Sequence, residues 1–165
     1  MHGQEPVFRA LVTTYILPLF LWHNVAMAAL HHQIGEWLGV PPPASEQELL
    51  AIIERQLPTS TINRLIALGV TRKEVDEFVI PLRTLQHRRS RREKLTIEES
   101  DRILRMMRVL SLAEEIYGSR ERALAWLRRP SARLKKRAPF ELLKTDAGAR
   151  IVEDLLTQID EGMFV

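Results

Sequence analysis

Two four-residue words, Thr71-Arg72-Lys73-Glu74 and Thr96-Ile97-Glu98-Glu99, set the frame of this chain. Each places a hydroxyl three residues ahead of a carboxylate. In that arrangement the two side chains satisfy amide donors that a starting helix leaves without partners. Further helix signals surround them. Ser45, Ser119 and Thr145 stand where N-caps are needed, and Pro58, Gly69, Pro81, Gly118 and Pro130 stand where helices must stop. The spacing predicts helices over 46–57, 59–68, 72–79, 82–89, 97–117, 120–129 and 146–160. The longest carries Ile103, Met107, Leu110 and Ile116 on an apolar face, and the last carries Ile151, Leu155 and Ile159, flanked by Val152 and Leu156. No segment sustains strand alternation and no internal repeat is visible, so the chain reads as all-α.

Of the 165 residues, 45% are apolar and none is Cys. A chain of this length buries roughly 70% of its extended surface, so a packed core is expected. Disulfide, zinc-thiolate and cysteine-nucleophile chemistry are excluded. The net charge of +3 hides a strong segregation. Residues 82–94 and 128–137 together carry +11, which leaves −8 for the rest. Such a distribution speaks about partners rather than fold.

The first forty residues are the hardest to assign. Their apolar run, residues 10–30, contains Pro18, His23 and Asn24 and has no second span after it, which argues against a membrane helix. Arg9 ahead of the run and "AMA" at 26–28 keep a secretory signal open. The plainer reading is an apolar helix kinked at Pro18, with Met27, Leu30, Ile34, Trp37 and Leu38 on one face. His23, Met27 and His31 share a helical face and could hold a soft metal. No carboxylate or further ligand stands at metal spacing, so no metal is assigned. "GVPPPASEQ" then reads as a linker. The division that follows is 1–44 as an N-terminal extension and linker, 45–94 as a first helical domain and 95–165 as a second.

Three short helices with tight turns, the last one basic, make the plan of a helix-turn-helix. Helix 72–79 would cross the DNA backbone and helix 82–89 would lie in the major groove, where Arg pairs with guanine and Gln with adenine. Arg83, Gln86, His87 and Arg88 are placed to reach bases, with Thr84 among them. Arg89, Arg91 and Arg92 are placed for phosphates. A solvated basic face is the competing reading of the same charge. The second basic stretch, 128–137, lacks a groove-sized helix and reads as a solvated loop. There is no HExxH, no Gly-rich phosphate loop and no strand–turn–helix nucleophile elbow. Ser100 has no nearby base. The chain is therefore read as a non-enzyme without cofactor.

Three stretches resemble a known family. "VIPLRTLQHRR" at 79–89 resembles the recognition-helix segment of the Xre/MbcA/ParS-type antitoxins. "LTIEESDRILRMMRV" at 95–109 and "APFELLKTDAGARIVEDLLTQIDEGMF" at 138–164 resemble the opening segment and the C-terminal signature of that family's toxin-binding domain. The likeness covers residues 45–165, in order and at the expected distances. It implies an antitoxin that inhibits a RES-domain toxin, an enzyme that depletes NAD+. It also implies repression of its own operon through operator DNA, a homodimer within a larger complex, and a cytoplasmic location away from any membrane. Two positions depart from the family pattern. Lys135 and Lys136 stand where a Gly pair is usual, so this loop is expected to do without glycine dihedrals. Leu82 stands where Arg is common, which puts operator preference in doubt.

The chain finishes on Gly162, Met163, Phe164 and Val165, an apolar end that water disfavours. Under the resemblance, helix 146–160 has one face for its own domain and one for the toxin. Asp154, Leu155, Gln158 and Ile159, then Asp160, Glu161, Gly162, Met163 and Phe164, are the expected toxin contacts. Met and Phe are good anchors, and the acids with the terminal carboxylate suit a cationic NAD+ pocket. The competing reading folds Met163 and Phe164 back onto the chain's own core. A helix-turn-helix regulator without a toxin and a secreted or tethered helical protein are the other function classes carried forward.

Overall fold

The computed structural model describes the backbone of residues 17–162 and the side chains of residues 27–162. Arg9, the side chain of His23, most of the run read as a possible signal, and the tail residues Met163, Phe164 and Val165 lie outside the described residues. Among those described, nine α-helices follow one another: α1 (Leu17–Leu38), α2 (Glu46–Glu54), α3 (Thr61–Ala67), α4 (Arg72–Phe78), α5 (Leu82–Ser90), α6 (Ile97–Tyr117), α7 (Arg120–Arg128), α8 (Pro139–Leu142) and α9 (Asp146–Asp160). A single 3₁₀ turn, Ala132–Leu134, sits between α7 and α8. Among the described residues there are no strands, and no helix is long and apolar enough to cross a membrane.

The caps form as the local sequence requires. Thr71 Oγ1 accepts from the Glu74 amide at 3.2 Å while Glu74 Oε2 accepts from the Thr71 amide at 2.7 Å. Thr96 and Glu99 repeat the pair at 3.2 and 2.7 Å. Ser45, Ser119 and Thr145 each accept an amide at the head of α2, α7 and α9. Gly69 and Gly118 close α3 and α6 at φ +95° and +72°, a backbone region that costs a residue with Cβ about 1–2 kcal/mol.

The long helix α6 is the axis of the molecule. It packs against α1, α2, α7 and α9. One apolar face would not serve so many neighbours, and the burial is correspondingly wide. Leu104, Met106, Val109 and Ala113 are buried in addition to the expected Ile103, Met107 and Leu110. Ile116 is only partly buried at the rim. The N-terminal helix joins the same core through Ile34, Trp37 and Leu38. It is tied to α6 by Ser111 Oγ, which donates to Gln33 Oε1. His31, considered above as a metal ligand, instead stands 3.4 Å from Glu46 Oε1. No cluster of metal-type ligands occurs among the described residues.

Ser100 has a structural task that local sequence did not reveal. It is fully buried. Its hydroxyl donates to Thr96 O at 2.7 Å and accepts from the Leu57 amide at 3.0 Å, 43 residues away. Leu57 O in turn accepts from the Leu95 amide at 2.9 Å. The chain after α2 is thus fastened to the first turn of α6.

The loop after α7 overturns one expectation. Lys135 and Lys136 do adopt glycine-like dihedrals, at φ +54° and +63°. The surrounding bonds hold them there. Lys136 N–H donates to Ser131 O at 2.9 Å, Arg137 N–H to Leu134 O at 3.1 Å, and Ser131 N–H to Arg137 O at 3.0 Å. The buried Leu134 pins the centre of the loop to the core.

Two stability tests follow. Ser100→Ala leaves the Leu57 amide buried without an acceptor and should cost about 1–3 kcal/mol in urea denaturation, whereas Ser90→Ala on the surface should stay within about 0.5 kcal/mol. Lys135→Gly and Lys136→Gly should each raise stability by about 0.5–1 kcal/mol, because relief of left-handed strain exceeds the added entropy of the unfolded chain.

Candidate nucleic-acid interface and partner-binding helix

The turn between α4 and α5 is built from Val79, Ile80 and Pro81. Val79 and Ile80 are buried. Pro81 lacks an amide, and the first free donor of α5, the Leu82 N–H, is accepted by Asp76 Oδ1 of α4 at 2.7 Å. Leu85 packs inward with Val75 and Phe78. These contacts set α5 against α4 at a fixed angle and leave its other side outward.

On that outward side, Arg83, Gln86 and His87 are exposed and Thr84 is half-buried. Arg89 is exposed but leans on α3, donating to Asn63 Oδ1 at 3.0 Å. Arg91 is exposed, 3.9 Å from Glu93. Arg92 is exposed and supplies the left-handed residue that ends the helix, at φ +56°. Arg88 is placed differently. Its guanidinium turns inward, with Nε 3.3 Å from Glu99 Oε2 and Nη2 3.4 Å from Glu99 Oε1. Lys94, from the same basic run, spends its ammonium on Arg55 O at 2.9 Å, at the end of α2. Two of the six cations in 82–94 therefore serve the fold.

The second basic stretch also divides. Arg128 forks onto α4: Nε and Nη2 donate to the two oxygens of Glu74 at 2.7 and 2.9 Å, and Nη2 also donates to Gly69 O at 2.8 Å. Burial pushes the Glu74 carboxyl up, but the bonds from Arg128 and Thr71 outweigh it and hold the group below the usual carboxylate value. Lys144 adds a second tie to α4, 3.3 Å from Glu77 and 4.9 Å from the Phe78 ring centroid. Nothing in local sequence marks Arg128 as different from its neighbours, because its partners lie more than fifty residues away.

In α9, Val152 and Leu156 are fully buried and Leu155 is nearly so, with Ile159 partly buried against the same core. Asp154, Asp160, Glu161 and Gly162 are exposed, and Gln158 is half-buried. Of the residues expected to meet a partner, Leu155 and Ile159 thus face mainly inward. The expected inward residue Ile151 does the opposite and is 51% exposed. At about 100° per residue, it falls a quarter-turn from the centre of the buried face. Gly162 ends the helix at φ +67°, its amide donating to Ile159 O at 3.1 Å.

Residues 48–108 match the family described as the antitoxin Xre-like helix-turn-helix domain. Residues 112–162 match the antitoxin Xre/MbcA/ParS C-terminal toxin-binding domain. The chain is similar to an Antitoxin Xre of Pseudomonas putida, 34% identical over 125 residues that cover 76% of this chain and 79% of the relative. It is 30% identical to an Antitoxin Xre of Photorhabdus laumondii over 74% of this chain and 84% of that one. An Antitoxin Xre of Yersinia enterocolitica is 38% identical over 86 residues, covering 52% and 58% of the two chains.

The two faces of α5 predict opposite phenotypes. Arg88→Ala should lower stability by about 1–3 kcal/mol, since the buried Glu99 loses its cation. Arg83→Ala and Gln86→Ala should each leave the melting transition within about 0.5 kcal/mol of the parent, as surface changes do. Denaturation of the three variants side by side checks both statements.

Proposed function

The chain belongs to the Xre family of antitoxins, with a helix-turn-helix domain and a C-terminal toxin-binding domain, and from that premise we propose that it silences a RES-domain, NAD+-depleting toxin with its C-terminal tail. The observation that carries this reading is the end of α9. The helix stops at an exposed Gly162 immediately after the exposed acids Asp160 and Glu161, with Met163 and Phe164 next in the sequence. A pocket that holds the pyrophosphate of NAD+ is cationic, so an acidic segment carrying two anchor side chains has the electrostatic sense and the chemistry to fill it. The NAD+ chemistry and the RES identity rest on the resemblance at 95–109 and 138–164.

The same reading assigns operator DNA to the outward side of α5. Arg83, Thr84, Gln86 and His87 read bases, and Arg89, Arg91 and Arg92 meet phosphates. Arg88 acts through Glu99 to hold α5 in place and does not itself contact DNA. The protein works as a homodimer, so that two recognition helices meet two half-sites about one helical turn apart. It acts in the cytoplasm, where operator and NAD+ are both found.

Deleting residues 160–165 tests the tail. The truncated protein should stay folded, keep DNA binding and still form a complex with the toxin, yet fail to stop NAD+ consumption. Phe164→Ala should lose part of the inhibition, with a cost of about 2 kcal/mol. Arg83→Ala and Gln86→Ala should weaken operator binding by about 1–3 kcal/mol each without touching inhibition. A truncated protein that inhibits as well as the parent, or that unfolds, refutes the tail mechanism. A chain with no affinity for any RES toxin, but with operator binding intact, would make it a transcription regulator alone.

A further inference from the structure

Among the described residues the large apolar side chains left in solvent are Val40, Leu50, Ile97 and Ile151. Ile151 alone of these falls within 112–162, the stretch matched to the toxin-binding domain. Single exposed apolar residues are common and need no explanation by themselves. The surroundings of Ile151 are what set it apart. It lines a groove of about 490 Å³ with Arg133, Leu134, Asp154, Leu155 and Gln158, formed where α9 runs beside the loop after α7. The floor is apolar, supplied by Leu134 and Leu155, both nearly buried.

The rims carry opposite charge. On one side a stripe of α9 continues from the exposed Ile151 through the exposed Asp154 and the half-buried Gln158 to the exposed Glu161, one turn per step, and ends beside Asp160 and Gly162. On the other side Arg133, Lys135 and Lys136 stand exposed on the loop. That loop is not a loose tether. A bridge between Ser131 and Arg137 closes it, and two lysines are held in left-handed backbone to complete it. A fixed, strained loop beside an exposed apolar side chain is a pattern that function explains better than stability does.

We propose that Ile151 is the apolar anchor of the toxin-docking face, seated between the acidic stripe of α9 and the basic loop at 131–137. This rests on the toxin reading above and adds the surface on which the toxin sits. The partner is the toxin because the stripe runs without a break into the acidic segment assigned to the toxin's pocket. Every residue lining the groove also lies within 112–162, the stretch matched to the toxin-binding domain. The matching toxin surface has an apolar recess for Ile151. It carries basic groups on the side facing Asp154, Asp160 and Glu161, and acidic groups on the side facing Lys135 and Lys136. The two rims orient the complex, and Ile151 with its groove supplies the desolvated centre.

The test uses the full-length chain and the cognate toxin, with affinity measured by titration calorimetry. Ile151→Asp should weaken the complex at least about 30-fold and Ile151→Ala about 10-fold. Circular dichroism, the melting transition and operator binding should match the parent in both, because the side chain is half in solvent and lies outside the buried core. Lys135→Glu combined with Lys136→Glu should slow association and do so more strongly at low salt. Parent-like toxin affinity for both Ile151 variants overturns the proposal while leaving the tail mechanism standing. Unchanged toxin affinity with a loss of self-association in sedimentation overturns it in favour of a second copy. Failure of the parent to bind the toxin removes the reading on which it rests, and the proposal with it.

Discussion

The first turn of α6 holds the molecule together. Within five residues it contains a capping box that starts the helix, a glutamate that neutralises Arg88 of α5, and a buried hydroxyl that takes the Leu57 amide. Each group acts twice. Glu99 closes its own helix end and also receives a guanidinium. Ser100 donates to Thr96 and also accepts from Leu57. Such sharing removes slack, since no one of these bonds breaks without loosening another element. The orientation of α5 therefore depends on a cap that belongs to a different helix.

Further along α6, three arginines at three-residue spacing continue the fastening. Arg102 donates to Val79 O at 3.0 Å, Arg105 to Leu143 O at 3.3 Å, and Arg108 to Glu153 at 2.7 Å. The first two meet carbonyls at the ends of α4 and α8, where unpaired oxygens and the helix dipole both favour a cation. Together with Arg128 on Glu74, these are four of the 24 Lys and Arg residues, each turned to holding the fold. A basic protein of this kind has fewer cations free for nucleic acid than its sequence charge suggests.

What the sequence made legible was whatever depends on neighbours within four residues. The Thr71 and Thr96 boxes, the Ser45, Ser119 and Thr145 caps, and the stops at Gly69, Pro81 and Gly118 are local chemistry, and the helices follow from them. Relations across the chain were not legible. Arg88 and Arg128 look like any other cations until Glu99 and Glu74 are brought beside them. Ser100 had no visible partner because Leu57 is 43 positions away. Ile151 was misplaced because its four-residue spacing to Leu155 suits either of two faces, and only the packing of α8 and α6 decides between them. The lysine pair was misjudged because a non-glycine residue is unfavourable in left-handed backbone but is not forbidden there when several bonds hold it.

The two family matches meet between residues 108 and 112, inside a single helix of 21 residues. No hinge separates the helix-turn-helix half from the toxin-binding half. An α-helix turns about 100° and rises about 1.5 Å per residue. One residue gained or lost between Arg108 and Leu112 would swing the two halves about a quarter-turn out of phase. It would also pull apart the pairs that Arg105 and Arg108 make with α8 and α9. Recombination that exchanges one half between related genes must therefore preserve helical phase across this seam. The helix-turn-helix half and the toxin-binding half are mechanically a single inherited unit.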